Sequence, residues 1–218
     1  MGIITKIYQS SIGKKIVMSL TGLFLCIYLV VHLAGNLLLL KQDGGAAFDA
    51  YAEFLPSLLI IKIIEYVLFA VFIGHIVTST ILWIKNKRAR PQQYEMNKPQ
   101  ENSSFFSRTT FFSGSIVFIF LVVHMRTFWV ASRFQHDEYP SMYAVAKTAF
   151  ASPAYSLFYV AAIILLAFHL RHGFQSAFQT LGIKHQRYAR LIELVGVIFW
   201  LIIPIGFAYI PIYFLLHS

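Results

Sequence analysis

The chain has little charge and almost no cysteine. Asp, Glu, Lys and Arg make up only 12% of its 218 residues, against about a quarter in a soluble domain. That shortfall excludes an ordinary water-soluble globule. Cys26 is the single cysteine, which excludes a disulfide framework. The chain has no Gly-rich phosphate loop and no Walker sequence, so no nucleotide-handling module is indicated. Any chemistry belongs in, or at the edge of, an apolar medium.

Apolar residues are what the sequence has in quantity: 58% are hydrophobic, with 21 Phe and 12 Tyr. Five uncharged or nearly uncharged runs stand out, at 16–40, 66–84, 109–125, 148–170 and 194–218, with Lys62 and Glu65 just before the second. Roughly 20 apolar residues cross a hydrocarbon core of about 30 Å, and in lipid an open-ended segment satisfies its own backbone only as a helix. The expected fold is therefore all-α and integral to the membrane: a single domain of five helices at about 16–40, 58–84, 108–132, 149–176 and 191–216. The first run is too long for a signal peptide, lacks a small-residue cleavage site and contains His32 and Asn36, so it is read as an uncleaved span.

The net charge of +9 has a membrane cause rather than a nucleic-acid one. Lys6, Lys14 and Lys15 precede the first span, Lys85, Lys87, Arg88, Arg90, Lys98 and Arg108 separate the second and third, and Lys184, Arg187 and Arg190 separate the fourth and fifth. The alternate loops mix Lys41, Arg133 and Lys147 with Asp43, Asp49, Glu53, Asp137 and Glu138. The positive-inside rule then sets the N-terminus in the cytoplasm and the C-terminus outside.

A weak internal repeat carries most of the information. Thr21-Gly22 precedes His32 by nine intervening residues, and Ser113-Gly114 precedes His124 by nine. His75 has Ser79 four positions later, and His169 has Gly173. The separations His32 to His75 and His124 to His169 are 43 and 45 residues. Two copies of one helix-loop-helix unit are implied, with the fifth span outside the scheme. At 1.5 Å per residue, His32 and His124 fall at an outer level, and His75 and His169 at an inner one. The two levels are on the order of 10 Å apart in depth.

Intramembrane ionisable residues mark function, and neutral imidazole is a good ligand for iron, zinc or copper. Zinc takes three or four protein ligands, whereas each level supplies two. A di-iron carboxylate site needs Glu-x-x-His, which the chain lacks. Haem brings four equatorial nitrogens and leaves two axial positions, and without a CxxCH sequence it would be held non-covalently, as haem b. Gly22, Gly114 and Gly173 would let a flat macrocycle approach the backbone. His172 is a fifth histidine near the inner level and an alternative to His169, while His136, His185 and His217 read as loop or terminal residues.

The stretches KKIVMSLTGLFLCIYLVVHLAGNLLL, AVFIGH, SGSIVFIFLVVH and AFHLRHGFQSAFQTLG resemble the dihaem cytochrome b subunit of succinate:quinone oxidoreductases and quinol:fumarate reductases. The resemblance covers nearly the whole chain. It implies a five-helix bundle enclosing two haems in a bacterial cytoplasmic membrane. It also implies a membrane anchor for a flavoprotein subunit and an iron–sulfur subunit on the cytoplasmic side, exchanging electrons with menaquinone, in a complex that can form higher oligomers. The family's His-then-Gly pattern selects His169 over His172, pairs it with His75 at the inner haem, and pairs His32 with His124 at the outer one. Ser19 matches a position near a haem propionate. Where some members carry a glutamate two residues before the fourth ligand, this chain has Ala167, so a proton route through that position is not expected. Quinone chemistry needs proton donors, for which Glu65, Glu53 and Asp49 are the candidates. Propionate partners are sought in Lys15, Arg108, Arg171 and His172 inside, and in Arg126 and Arg133 outside. Two alternatives remain at this point: the dihaem anchor of a nitrate reductase or hydrogenase, and a haem-free transporter using histidines as a proton relay.

Overall fold

The computed structural model of the chain describes residues 10–89, 105–135, 138, 141–183 and 185–217, with the backbone alone at 105–108. The readings at Lys6, Arg90, Lys98, His136, Asp137 and Lys184, and at the side chain of Arg108, fall outside the described residues. All regular structure in the described residues is helical: α1 (Ser11–Asn36, prolonged by a 3-10 turn at Leu37–Leu40), α2 (Ala46–Ser57), α3 (Leu59–Arg88), α4 (Phe105–His124), α5 (Val130–Phe134), α6 (Met142–Ala151), α7 (Pro153–Thr180), α8 (Gln186–Val197) and α9 (Ile203–Leu216). A turn wound as π-helix joins α4 to α5 at Met125–Trp129, and another joins α8 to α9 at Ile198–Ile202.

Five of the resulting rods are long and apolar enough to cross a membrane: Ser11–Leu40, Leu59–Arg88, Thr109–Phe134, Pro153–Thr180 and Gln186–Leu216. Their exposure is inverted relative to a soluble protein. Thr78, Ser113 and Ser156 are fully buried, whereas Ile27, Val31, Ile73, Ile119 and Ile205 face outward. Polar groups turned inward and branched aliphatics turned outward suit a lipid surround, where an unpaired hydroxyl is costly. The chain is a multi-pass membrane protein.

The helix ends differ from the sequence expectation for local reasons. α1 begins at Ser11 because the Ser10 hydroxyl accepts the Gly13 N–H at 2.8 Å, a standard N-terminal cap. α3 continues to Arg88, since Lys85, Lys87 and Arg88 suit the negative end of the helix dipole. The fourth span starts at Pro153 rather than 149, where proline is well placed at a first helical position. The segment before it forms the separate α6. α2 and α6 lie between spans, at the end of the bundle opposite the Lys15 and Lys85 ends of α1 and α3. Gly45, at φ +93°, starts α2 with the Tyr143 ring of α6 packed against it, a backbone conformation and a contact that both favour glycine.

Helix α7 is the hub and packs on α1, α4, α8 and α9, while α1 also packs on α3 and α9. α3 and α4 meet through long side chains near their two ends: Trp83 stacks on Phe111 at 4.1 Å, and Phe69 meets Trp129 edge-on at 5.2 Å. Arg133 and Trp129 also reach Glu65 there. A cavity of about 1070 Å³ lies inside this ring of α1, α3, α4 and α7.

Candidate redox cofactor site

The four repeat histidines face one another in two pairs. His75 of α3 and His169 of α7 have ring centres 6.4 Å apart at 71°. His32 of α1 and His124 of α4 have centres 5.7 Å apart at 85°. Each pair takes one imidazole from each copy of the repeat, so the two units meet across the bundle rather than each closing on itself. Among the described residues, no three His, Cys, Asp or Glu side chains converge on a common point. The donor set at each level is therefore two imidazoles. A metal–imidazole bond is about 2 Å. Two axial nitrogens would thus stand about 4 Å apart and their ring centres about 6 Å, which both pairs match.

The second nitrogen of each ring decides whether the first is available. Nδ1 of His75 lies 3.0 Å from Oγ1 of Thr21, and that hydroxyl gives its own proton to the Val17 or Met18 carbonyl at 2.8 or 3.1 Å. With its proton given to a carbonyl, Thr21 accepts from His75, and Nε2 is then bare. Nδ1 of His124 lies 3.2 Å from the Tyr159 hydroxyl, and Nδ1 of His32 lies 3.4 Å from both the Tyr28 hydroxyl and Nδ2 of Asn36. Nδ1 of His169 is deeply buried and lies against Gly114 of α4. Every pair thus has at least one ring with a built-in partner at Nδ1.

Glycine shapes the inner level. A Cβ on Gly22 would sit 3.4 Å from Cε1 of His75, and one on Gly114 would sit 3.2 Å from Cε1 of His169. Each inner imidazole therefore lies over the glycine of its own unit's first helix: a Cβ at 114 would press on its ring, and one at 22 would just touch it. The cavity is lined by His75, His169, His172, Gly22, Gly114 and Gly173. It runs along α1 from Ile12 to Leu29, about 25 Å at helical rise. Its volume matches or exceeds the about 300–1,000 Å³ typical of small-molecule sites. Tyr28 and Phe120, each one turn before an outer histidine, line this cavity and also touch the outer rings, at 5.2 and 5.7 Å between centres. They form a partition between the two levels. The residues present thus fit a flat macrocycle with two axial imidazoles at the inner level, and a paired-imidazole seat within an aromatic wall at the outer one.

The remaining sequence candidates separate cleanly. Lys15 and Ser19 line the cavity, and Ser19 Oγ donates to the Lys15 carbonyl at 2.9 Å. Arg171 does not line it, and its guanidinium stacks on Trp200 at 4.9 Å. Arg126 donates to Gln135 Oε1 at 3.4 Å. Glu65 does not pair with Lys62, three residues earlier on the same helix: Arg133 grips it, with Nε to Oε1 at 3.2 Å, and the Trp129 indole N–H donates to it as well. The π-turn at Met125–Trp129 makes this possible, because one extra residue per turn swings Trp129 and Arg133 toward α3. Asp49 accepts from the Ser141 hydroxyl at 2.7 Å and from the Tyr143 N–H at 2.8 Å, and so holds the start of α6. Asp49, exposed Glu53 and Arg133 share a second cavity of about 350 Å³.

Sequence reasoning placed Thr21 in the repeat without its role as a histidine partner, and missed Tyr28, Tyr155 and Tyr159. That role could have been found from the place of Thr21 beside Gly22. Tyr159 has no repeat counterpart and no motif, so only the fold reveals it.

Residues 84–205, just over half the chain, match the family model described as the succinate dehydrogenase/fumarate reductase transmembrane subunit. No curated protein and no solved structure matches. The matched stretch contains His124, His169 and His172, whereas His32 and His75 precede it and join the site through geometry alone.

Proposed function

The chain belongs to the succinate dehydrogenase/fumarate reductase transmembrane subunit family, and from that premise we propose that it is the dihaem cytochrome b anchor of such a complex. In this reading it passes electrons between a cytoplasmic flavoprotein and iron–sulfur pair and menaquinone in a bacterial inner membrane. The observation that carries the reading is the double pairing of imidazoles, His32 with His124 and His75 with His169. Two pairs, each drawn from both repeat units, are more than packing requires of buried histidines.

His75 and His169 would hold the inner haem b, and His32 and His124 the outer one. Bound there, each haem supplies a one-electron centre whose potential follows its axial ligands and surroundings. The protein's part is to orient the imidazoles, keep them neutral and exclude water. Thr21 fixes the tautomer of His75. Gly22 and Gly114 set how closely the inner rings lie against the backbone. Lys15, Ser19 and His172, at the inner face of the cavity, are assigned to the anionic edge of the inner group. Arg171, stacked on Trp200, is left to packing.

At the outer end Glu65 is the carboxyl assigned to proton exchange with a quinone, because Arg133 and Trp129 hold it in the half-buried surface between α3 and α5. Exposed Glu53 would connect that region to the aqueous side, while Asp49 serves as a helix cap. Family membership favours this reading over a nitrate reductase or hydrogenase anchor and over a haem-free transporter.

The test is spectroscopic. Protein from haem-replete cells should give reduced b-type bands and two haems per chain, and a colourless preparation would refute the reading. His75→Ala and His124→Ala should each remove one haem and leave the other. Loss of neither in both variants would dismiss the pairing.

A further inference from the structure

The two levels differ in what holds the second nitrogen of the imidazole. At the inner level the partner of His75 is the hydroxyl of Thr21, which has two backbone carbonyls of its own helix within reach for its proton. At the outer level the partner of His124 is a phenol within a chain of hydroxyls. Tyr159 is buried, only 4% exposed, and its oxygen lies 3.2 Å from His124 Nδ1 and 3.0 Å from the Tyr155 hydroxyl. Tyr155 in turn lies 2.9 Å from Oγ1 of Thr127. Phe120 and Phe150 pack edge-on against the Tyr159 ring at 4.8 and 5.1 Å, so it cannot swing away.

Each member of this chain has one proton to give along it, and two directions satisfy it. Running outward, His124 Nδ1–H donates to Tyr159, Tyr159 to Tyr155, and Tyr155 to Thr127. Nε2 is then bare. Running inward, Tyr155 donates to Tyr159 and Tyr159 to His124 Nδ1, so the ring proton sits on Nε2 and blocks that nitrogen as a ligand. At the inner level His75 meets a single hydroxyl, whereas the tautomer of His124 at the outer level is selected by the direction of the chain.

We propose that Tyr159 is the positioning residue of the outer haem site: with Tyr155 and Thr127 it takes the Nδ1 proton of His124, exposes Nε2 and raises the electron density of that ligand. This inference rests on the dihaem reading above. Hydrogen bonds in series polarise one another, so Tyr155 and Thr127 strengthen the hold that Tyr159 has on the imidazole. A partner at Nδ1 makes a ligating imidazole more basic and favours the more positively charged, ferric state. The outer site thereby has a chain of three hydroxyls behind Nδ1 of His124, where His75 at the inner site has the single hydroxyl of Thr21.

The experiment is a redox titration of the full complex, followed by optical and electron paramagnetic resonance spectra, in Tyr159→Phe and Tyr155→Phe. The haem lost in His124→Ala identifies the outer signal. Phenylalanine keeps the ring packing and deletes only the hydroxyl. Tyr159→Phe should lower the ferric-to-ferrous ratio of the outer haem at fixed potential by about two- to tenfold, tenfold being 59 mV for a one-electron couple. Its low-field g value should move, and the inner haem should be unchanged. Tyr155→Phe should act in the same direction by less. If Tyr159→Phe fails to retain the outer haem, Tyr155→Phe decides, because its outer potential must then still move. An outer potential and g value equal to wild type in both variants, or equal shifts in both haems, would overturn the proposal. Wild-type protein without haem would instead overturn the dihaem reading on which it rests.

Discussion

Single atoms decide the inner level. A Cβ at position 114 would meet Cε1 of His169 at 3.2 Å, tighter than the 3.4 Å between position 22 and His75. Neither ring can retreat freely in a packed interior, so Gly114→Ala should lower inner haem content several-fold and Gly22→Ala by less, with outer haem retained in both. Haem stoichiometry by pyridine haemochrome and the two-component redox titration measure this. Thr21→Val tests a different contact at nearly constant volume. It removes the acceptor of His75 Nδ1 and should weaken inner haem retention by about 10- to 100-fold, the usual consequence of losing an outer-shell partner. The juxtaposition of histidines was legible in the sequence because both units keep the same interval from small residue to imidazole. The hydroxyls behind them were not. A tyrosine 35 positions from its histidine leaves no periodic trace, and Tyr159 reaches His124 only because α7 packs along α4.

At the scale of helices, the five spans were legible because lipid demands long uncharged runs, and the chain has five of them. The short helices α2 and α6 were not. Their 12 and 10 residues are too few for a span, so they read as loops. The π-turns were equally hidden, since one extra residue in a turn leaves the hydropathy of the run unchanged. These unseen elements supply the contacts of two acidic candidates: Asp49 holds the start of α6, and Glu65 meets Arg133 of α5. Asp49→Ala should therefore destabilise the outer end by about 1–2 kcal/mol through the lost cap. That corresponds to a fall of roughly 2–8 °C in thermal midpoint for a chain of this size, measured by scanning fluorimetry in detergent, with both haem spectra unaltered below the transition. Glu65→Gln preserves shape and removes charge. It should slow quinone-linked turnover at least tenfold while the exchange of electrons with an artificial dye is unaffected, a contrast read by steady-state assay.

On the scale of the whole molecule, both histidine pairs straddle the boundary between repeat units. A chain severed between residues 89 and 105 should therefore yield two fragments that are colourless apart and regain both haem signals together. Absorbance after co-expression and separate expression of the fragments checks this. Haem bound in one fragment alone would contradict it. α9 contributes no ligand, yet its Phe207 stands 5.6 Å from His32, and Leu33 packs over its Gly206. The cross-unit pairing also imposes an order on biogenesis. Spans leave the ribosome from the N-terminus, so both imidazoles of the outer pair are present while the fourth span, which brings Tyr159, is still being synthesised. The inner seat must wait for α7, and the fifth span arrives last. The His32–His124 pair can thus meet on a nascent chain before the His75–His169 pair does.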